Sequence, residues 1–392
     1  MKLTTPEVKL NMTNLQNNET HFHLEAVQDI SGFSPTNVNP GNYFWLLTRA
    51  SITSDEPEFY RYIEQLSIPF FSRCRVFQNA VYQFLILIHE DLSAELYIND
   101  FPINIEVLAK RDIKALELVE DRDIADIRRL KFPNIQIADT DKLIYCFKVG
   151  WKFGLFFDLE RQGKLDVEAI WLALGKLYRE LSFQHVYEVL KTKTQFEEMV
   201  KDGWFPFVQL ISWQYKALAE AYRERFDFEN TVEKVVGSFD RVTVEKITGK
   251  WWRNQIFQDK KELIQAGINA FLCFDNAGYI NCIKTLLTEA EGIIRLQHFG
   301  DTGKDRKVGV PELLDYLIER GKTKSGSDYS LLLPFPFLDY LRNVVFSQFD
   351  LATGQVDLSR HSSSHGVAPA SAYTRTKALQ SILILDQIYF YI

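Results

Sequence analysis

The most informative stretch of this chain, both for its structure and for a candidate site, lies near its carboxy terminus. It reads RHSSSHG (Arg360–Gly366) and, after a short polar connection, KALQSILILDQIY (Lys377–Tyr389). The second segment repeats apolar side chains every three or four residues, which places them on one side of an α-helix. These residues are Ala378, Ile382, Leu385, Tyr389 and Ile392. The pattern predicts a buried helix over about 373–391, with an arginine and two histidines just ahead of it.

Helical spacing also dominates the chain from about residue 161 onward. Wide apolar stripes run through 166–181 and 276–299, and each is typical of a helix that faces a core. Further helices are predicted near 183–200, 208–225, 229–239, 242–252, 259–274, 311–320 and 334–350. The polar segment Lys191–Thr194 is expected to interrupt the first of these.

The first 160 residues have a mixed pattern. Strands are predicted at 43–47, 94–98, 103–107, 142–147 and 155–159, and a short helix at 56–66. The turn residues of Asn99–Pro102 predict that 94–98 and 103–107 form a hairpin. The dense alternation of charge in Lys110–Lys131 predicts a solvated helix.

Length and composition set the class of protein. A chain of 392 residues is too long for one ordinary core, so at least two domains are expected. We predict an α+β domain of unknown role at 1–160, a helical connecting region at 161–257 and a helical bundle at 258–392. The net charge of −7 excludes a protein that coats nucleic acid by bulk electrostatics, although a local basic pocket remains compatible with it.

Cellular location is predicted from the cysteines and the apolar runs. The four cysteines are widely spaced and contain no C-x-x-C pair, which favours reduced thiols over a disulfide framework or a zinc knuckle. Residues 1–18 lack the apolar core of a signal peptide, and the apolar runs are too short to span a bilayer. We therefore expect a cytoplasmic protein with no membrane partner.

The candidate site is Arg360 with His361 and His365. An arginine keeps its charge at any working pH and presents a planar fork of donors that suits a phosphate group. A histidine can take up and release a proton near neutral pH. On a helix, His361 and His365 would lie one turn apart on the same face. These residue types can cleave RNA without a metal ion or other cofactor.

Other interpretations of the same residues remain open. Arg360 and His365 could simply stabilise the carboxy-terminal helix, for example through an ion pair with Glu289 or Glu291. A zinc site at His361 and His365 would have the spacing of one helical turn, but three serines stand where H-E-x-x-H requires a glutamate. A serine nucleophile is disfavoured because G-x-S-x-G and S-x-x-K are absent.

The carboxy-terminal third resembles the HEPN superfamily. The resemblance is carried by R-x-x-x-x-H at Arg360–His365 between the last two predicted helices of 258–392. Within that superfamily, R-H-x-x-x-H-G followed by A-L-Q-S-x-L-x-L-D is similar to bacterial proteins of abortive infection and toxin-antitoxin systems. The segments Ala290–Arg295 and Gly203–Phe207 are similar to such proteins too. The resemblance does not extend to 1–160.

This resemblance implies a HEPN-like helical bundle and a metal-independent endoribonuclease, with RNA as substrate. His365 would act as general base or acid, and Arg360 would bind the phosphate as charge builds on it. His361 would help to position the site or serve as a second proton carrier. The resemblance also implies a homodimer whose two motifs face one groove, and an antitoxin or other regulatory partner. The alternative is a non-catalytic HEPN module for binding or dimerisation, with 1–160 as a sensor.

Overall fold

The computed structural model describes residues 21–74, 76–160, 163–303, 308–350 and 356–392. Their contacts form two compact units. The first comprises the described part of Met1–Glu106 together with Arg129–Ser182, and the second comprises Val107–Arg128 and Phe183–Ile392. The first is built on a sheet and the second is mostly helical, so the predicted fold class, α+β followed by mostly α, is confirmed.

The first unit contains a six-stranded antiparallel sheet in the order β1-β4-β3-β7-β8-β2. Its strands are β1 (His21–Leu24), β2 (Arg49–Thr53), β3 (Gln83–Ile88), β4 (Ala94–Ile98), β7 (Lys142–Val149) and β8 (Lys152–Asp158). Two helices, α1 (Phe59–Cys74) and α2 (Val167–Ser182), belong to the same unit. The predicted helix and strands at 56–66, 94–98, 142–147, 155–159 and 166–181 correspond to α1, β4, β7, β8 and α2.

Apolar cores lie on both faces of this sheet. Along β3, Phe84, Ile86 and Ile88 belong to the core that includes α1, whereas Leu85 and Leu87 belong to the core that includes α2. Successive strand side chains point to opposite faces, so a central strand covered on both sides must be apolar throughout. This explains why β3 is a continuous apolar run whose type the sequence pattern leaves ambiguous.

Three local predictions were wrong. Residues 43–46 form no strand, and only Leu47 makes an isolated bridge, to Phe33. The strand β4 pairs with β3 and β1, whereas β5 (Asn104–Ala109) pairs with β6 (Ile124–Lys131), so 94–98 and 103–107 are not a hairpin. One reason is Asn99, whose side-chain oxygen accepts hydrogen bonds from the backbone N–H groups of Tyr82 and Gln83 and ties the end of β4 to the start of β3.

The predicted helix at 110–131 is the third error. The segment is irregular up to a short 3-10 turn, Asp121–Asp123, and then continues as β6. Its charged side chains pair across the loop and not along a helix: Arg111 donates to Asp123 at 2.6 and 2.9 Å and to Glu117 at 2.7 Å. An alternation of charges in the sequence is therefore compatible with such a loop as well as with a solvated helix.

The second unit is organised around α10 (Asn276–Thr302), which contacts α9 (Lys261–Phe271), α11 (Val310–Ser325), α13 (Arg360–Ser364) and α14 (Arg375–Tyr391). The other helices are α3 (Gln184–Lys191), α4 (Lys193–Lys201), α5 (Trp213–Glu224), α6 (Phe228–Gly237), α7 (Arg241–Gly249), α8 (Gln255–Asp259) and α12 (Pro334–Tyr340). Helix α12 continues into a π-helical turn, Leu341–Val345. The predicted break near 191–194 falls at Thr192, between α3 and α4.

Candidate functional site

The predicted motif begins on α13, a short helix that a serine pair holds in place. The N-cap residue Ser359 accepts a hydrogen bond on its Oγ from the backbone N–H of Ser362 at 3.2 Å. In return, the Ser362 hydroxyl accepts from the backbone N–H of Ser359 at 2.8 Å and donates to the carbonyl of Asp357 at 2.7 Å. Both serines are buried. This is a capping box with serine in place of the usual glutamate. It fixes the start of α13 and therefore the position of Arg360, the first residue of that helix.

The other serines of the motif are not arranged as nucleophiles. Ser363 is buried and its hydroxyl lies 3.3 Å from the hydroxyl of Tyr373, while Ser364 is exposed at the end of α13. The neighbouring Ser362 hydroxyl is already committed to the backbone. The polar run therefore serves the local structure.

Arg360 is half-buried against α10, where its Nη2 lies 2.8 Å from Oε2 of Glu291. Arg295 donates to the other oxygen of the same carboxylate at 3.0 Å and to the carbonyl of Val308 at 2.9 Å. Of the two glutamates that the sequence offers as partners, Glu291 is the one used. Glu289 instead accepts from Lys260 at 2.6 Å. Two guanidinium groups share one carboxylate, so the cluster keeps a net positive charge.

His361 and His365 are separated by one helical turn. The backbone N–H of His365 donates to the carbonyl of His361 at 3.0 Å, and His365 is the C-cap residue of α13. The His361 ring is half-buried, and its Nε2 lies 3.3 Å from the side-chain nitrogen of Gln348. The His365 ring is exposed and contacts Phe349, with ring centroids 5.7 Å apart.

The charge state of His361 is set by its surroundings. Burial lowers its pKa below the usual value of 6.5, and the positive charge of Arg360 lowers it further; Glu291 opposes this effect, and His365 adds a smaller lowering. Arg360, His361 and His365 lie together on this one short helix and its C-cap. At neutral pH the His361 ring is therefore mainly neutral and able to accept a proton.

The side chains of Arg360 and His365 project from α13 in different directions. Five residues of α-helix correspond to a rotation of about 140°, whereas the four residues from His361 to His365 return almost to the same side. The structure thus brings the two histidines onto one face, and Arg360 lies to the side of that face, against α10.

A cavity of about 520 Å³ lies beside the motif and was not predicted from the sequence. Gln348 and Phe349, which contact the two histidines, contribute to its wall, as do Asp357, Lys201 and Lys377. Burial lowers the pKa of the Lys377 amine, which donates to the carbonyl of Asp202 at 2.9 Å. No motif marks these residues, because they come from segments that only the tertiary fold brings together.

In the described parts of the chain, no group of three or more His, Cys, Asp or Glu side chains is placed to hold a metal ion. Within the same residues, no helix combines the length and the apolar character that a bilayer crossing requires. Cys74, Cys146, Cys273 and Cys282 are all free thiols, and only Cys273 is exposed.

The chain matches no protein-family model, no curated protein and no solved structure. The HEPN resemblance therefore stays a prediction from the motif.

Proposed function

We propose that this chain is a metal-independent endoribonuclease of HEPN type that acts in the cytoplasm as a phage-defence or toxin effector. The observation that carries the proposal is the grouping of Arg360, His361 and His365 around one short helix. A proton carrier and a phosphate-binding cation within one turn and a half are what the reaction needs.

In the proposed reaction, the ribose 2′-OH attacks the adjacent phosphorus and the 5′-oxygen leaves. The products are a 2′,3′-cyclic phosphate and a free 5′-OH. One imidazole removes the proton of the 2′-OH, and a second one donates a proton to the leaving oxygen. His365 is exposed and so accessible to a polynucleotide, and His361 is mainly neutral at pH 7, which suits a base.

Arg360 is assigned to the phosphate. The shared carboxylate of Glu291 neutralises only one of the two guanidinium groups beside it, so positive charge is left for the developing charge of the transition state. A homodimer that brings two copies of the motif to one groove would supply additional groups for acid and base at once. An antitoxin or another regulatory partner would then restrain the active dimer.

A non-catalytic HEPN module is the second candidate, and one observation favours it. The ion pair between Arg360 and Glu291 occupies the guanidinium in the free protein, as a purely structural arginine would be occupied. In that case α13 serves binding or dimerisation, and the sheet-containing first unit carries recognition.

Incubation of the purified protein with total RNA in EDTA distinguishes the two candidates. The wild type should produce fragments that end in a 2′,3′-cyclic phosphate, whereas Arg360→Ala and His365→Ala should each reduce the rate by roughly 10²-fold or more. Arg223→Ala and His23→Ala replace exposed residues of the same types elsewhere and should cleave at the wild-type rate. Cleavage that persists in the Arg360/His365 double variant would refute the site.

Sedimentation of the wild type tests the dimer separately. If the wild type is dimeric and cleaves no RNA under any condition, the non-catalytic module is favoured.

A further inference from the structure

A second group of basic side chains lies in the helical unit, away from the α13 motif. Two adjoining cavities, of about 470 and 150 Å³, share four lining residues: Lys110, Arg111, Lys246 and Lys250. All four lie in the segments Val107–Arg128 and Phe183–Ile392 of one compact unit. A basic recess in a chain of net charge −7 calls for a specific explanation.

Most of the positive charge here is already neutralised. Arg111 is paired with Asp123 and Glu117, and Lys250 lies 2.7 Å from Asp386. Arg253, at the edge of the larger cavity, is paired with Asp112. These pairs are structural and need no ligand.

Lys110 differs from these residues because it has no such ion pair among the described residues. Its side chain is buried, with 7% of the residue exposed, and lines both cavities. Its backbone N–H donates to Asp123, but among the described residues its ammonium group has neither a hydrogen bond nor an ion pair. Lys246 is exposed, lines the same two cavities and likewise has no ion pair within the described part of the chain. Burial without a partner disfavours the charged form of an amine, and an anion bound beside it would supply the negative charge that this form lacks.

The surroundings of Lys110 disfavour the protonated form of its amine. Burial, and then the charge of Lys250, lower the pKa of Lys110 from 10.5 to about 7. The negative charges of Asp386, Asp123 and Asp121 act in the opposite direction without restoring it. An anion between Lys110 and Lys246 would relieve this, because it would favour the protonated amine.

The shape and lining of the recess indicate the class of ligand. The smaller cavity is lined by the polar side chains of Gln209, Ser212, Gln214 and Thr243, which suit the oxygens of a phosphate group. The larger one adjoins the ring of Tyr389, and its volume is within the range of about 300–1,000 Å³ that is usual for small-molecule sites. A lysine ammonium binds phosphate as a compact point charge.

We propose that the recess around Lys110 and Lys246 is a binding site for a phosphate-bearing small molecule. The phosphate group lies between the two ammonium groups, and the remainder of the ligand extends into the larger cavity. This site is separate from the proposed ribonuclease motif and does not depend on it. A recess whose lining includes a buried lysine fits a small ligand better than an RNA backbone.

Calorimetric titration of the full chain with inorganic phosphate, pyrophosphate and ATP, at constant ionic strength, tests the proposal. At least one of these probes should bind the wild type, and Lys246→Met should weaken that binding about tenfold or more. Lys246 is exposed, so this variant should fold normally; Lys110→Met should have an effect at least as large. Lys193→Met, at an exposed lysine on α4, is the matched control and should bind like the wild type.

Chemical labelling provides a second readout. Pyridoxal phosphate forms an imine with a neutral amine, with loss of water, and borohydride then reduces the imine to a stable adduct. At pH 7, Lys110 should be labelled preferentially, and pyrophosphate or ATP should protect it. Lys142, which is buried in the first unit and paired with Asp29 at 2.8 Å, should not be labelled.

Three results would overturn the proposal. The first is the absence of binding by all three probes, and the second is equal binding by the wild type and Lys246→Met. The third is binding of an RNA oligonucleotide that requires Lys110 when pyrophosphate and ATP do not bind, because this would assign the recess to a polynucleotide.

Discussion

The contact between Arg360 and Glu291 can be measured by a double-mutant cycle. The single variants are Glu291→Gln and Arg360→Met, and each removes one charge while keeping most of the side-chain volume. The two side chains are 24% and 14% exposed, which places the pair between a surface ion pair and a buried one. Exposed pairs contribute about 0–1 kcal/mol, and breaking a buried pair costs about 3–5 kcal/mol.

We therefore expect a coupling free energy of about 1–2 kcal/mol between these two residues. The larger single effect should come from Glu291→Gln, because Arg295 also loses its carboxylate. Urea unfolding at pH 7, followed by circular dichroism for the wild type, both single variants and the double variant, gives the four free energies that the cycle needs.

The matched control is the exposed pair Lys193–Glu197 on α4, whose side chains are 85% and 61% exposed at a separation of 3.7 Å. The same cycle there should give about 0.5 kcal/mol or less. A coupling at Arg360–Glu291 no larger than in this control would refute the reasoning, and Arg360 would then be free to bind a ligand without competition.

Three further outcomes are expected in the same unfolding assay. Asp386→Asn should cost about 3–5 kcal/mol, because the carboxylate is buried, accepts from Trp251 at 2.8 Å and balances Lys250. Gly203→Ala should cost more than about 2 kcal/mol, because the backbone has φ +89° and a methyl group would overlap Gln380. Lys110→Met should be more stable than the wild type at pH 7. That advantage should shrink toward about pH 9, since the unfolded chain binds more protons here between pH 7 and 10.5 and wild-type stability rises over this window.

The first two of these have a control of the same chemical type. Asp259→Asn removes an exposed carboxylate that accepts from Gln255 and should change stability by less than about 0.5 kcal/mol. Gly300→Ala lies within α10 with open space around it and should be neutral or slightly stabilising. A Lys110→Met variant whose advantage is constant from pH 7 to 9 would contradict the lowered pKa.

The sequence predicted the fold best where the pattern of apolar residues depends on a single helix or strand. The helices α2, α10 and α14 were predicted because their apolar stripes follow the helical period over four turns or more. The arginine and the two histidines of the α13 motif were also visible, because their signals are local. The sequence offered Glu289 or Glu291 as an example of an ion-pair partner for Arg360, and the fold selects Glu291.

Features that depend on distant pairing could not be predicted. The strand at 103–107 was found, but its partner is β6 and not β4, since side-chain alternation reveals a strand without specifying what it pairs with. Lys110 stands in a run of charged residues that predicts solvent exposure, yet it is buried. Its burial results from packing between segments far apart in sequence, and no local pattern records it.

The chain contributes Val107–Arg128 to the helical unit before it completes the sheet unit, and this order limits how the protein can be dissected. A fragment that starts at Phe183 would lack the Asp126 carboxylate that accepts from the backbone of Leu331 at 3.0 Å. It would also leave Arg253 without Asp112. We expect such a truncation to aggregate or to unfold readily, and adding residues 107–128 as a separate peptide should restore solubility. Assignment of an activity to either unit is therefore better made with point variants in the full-length protein.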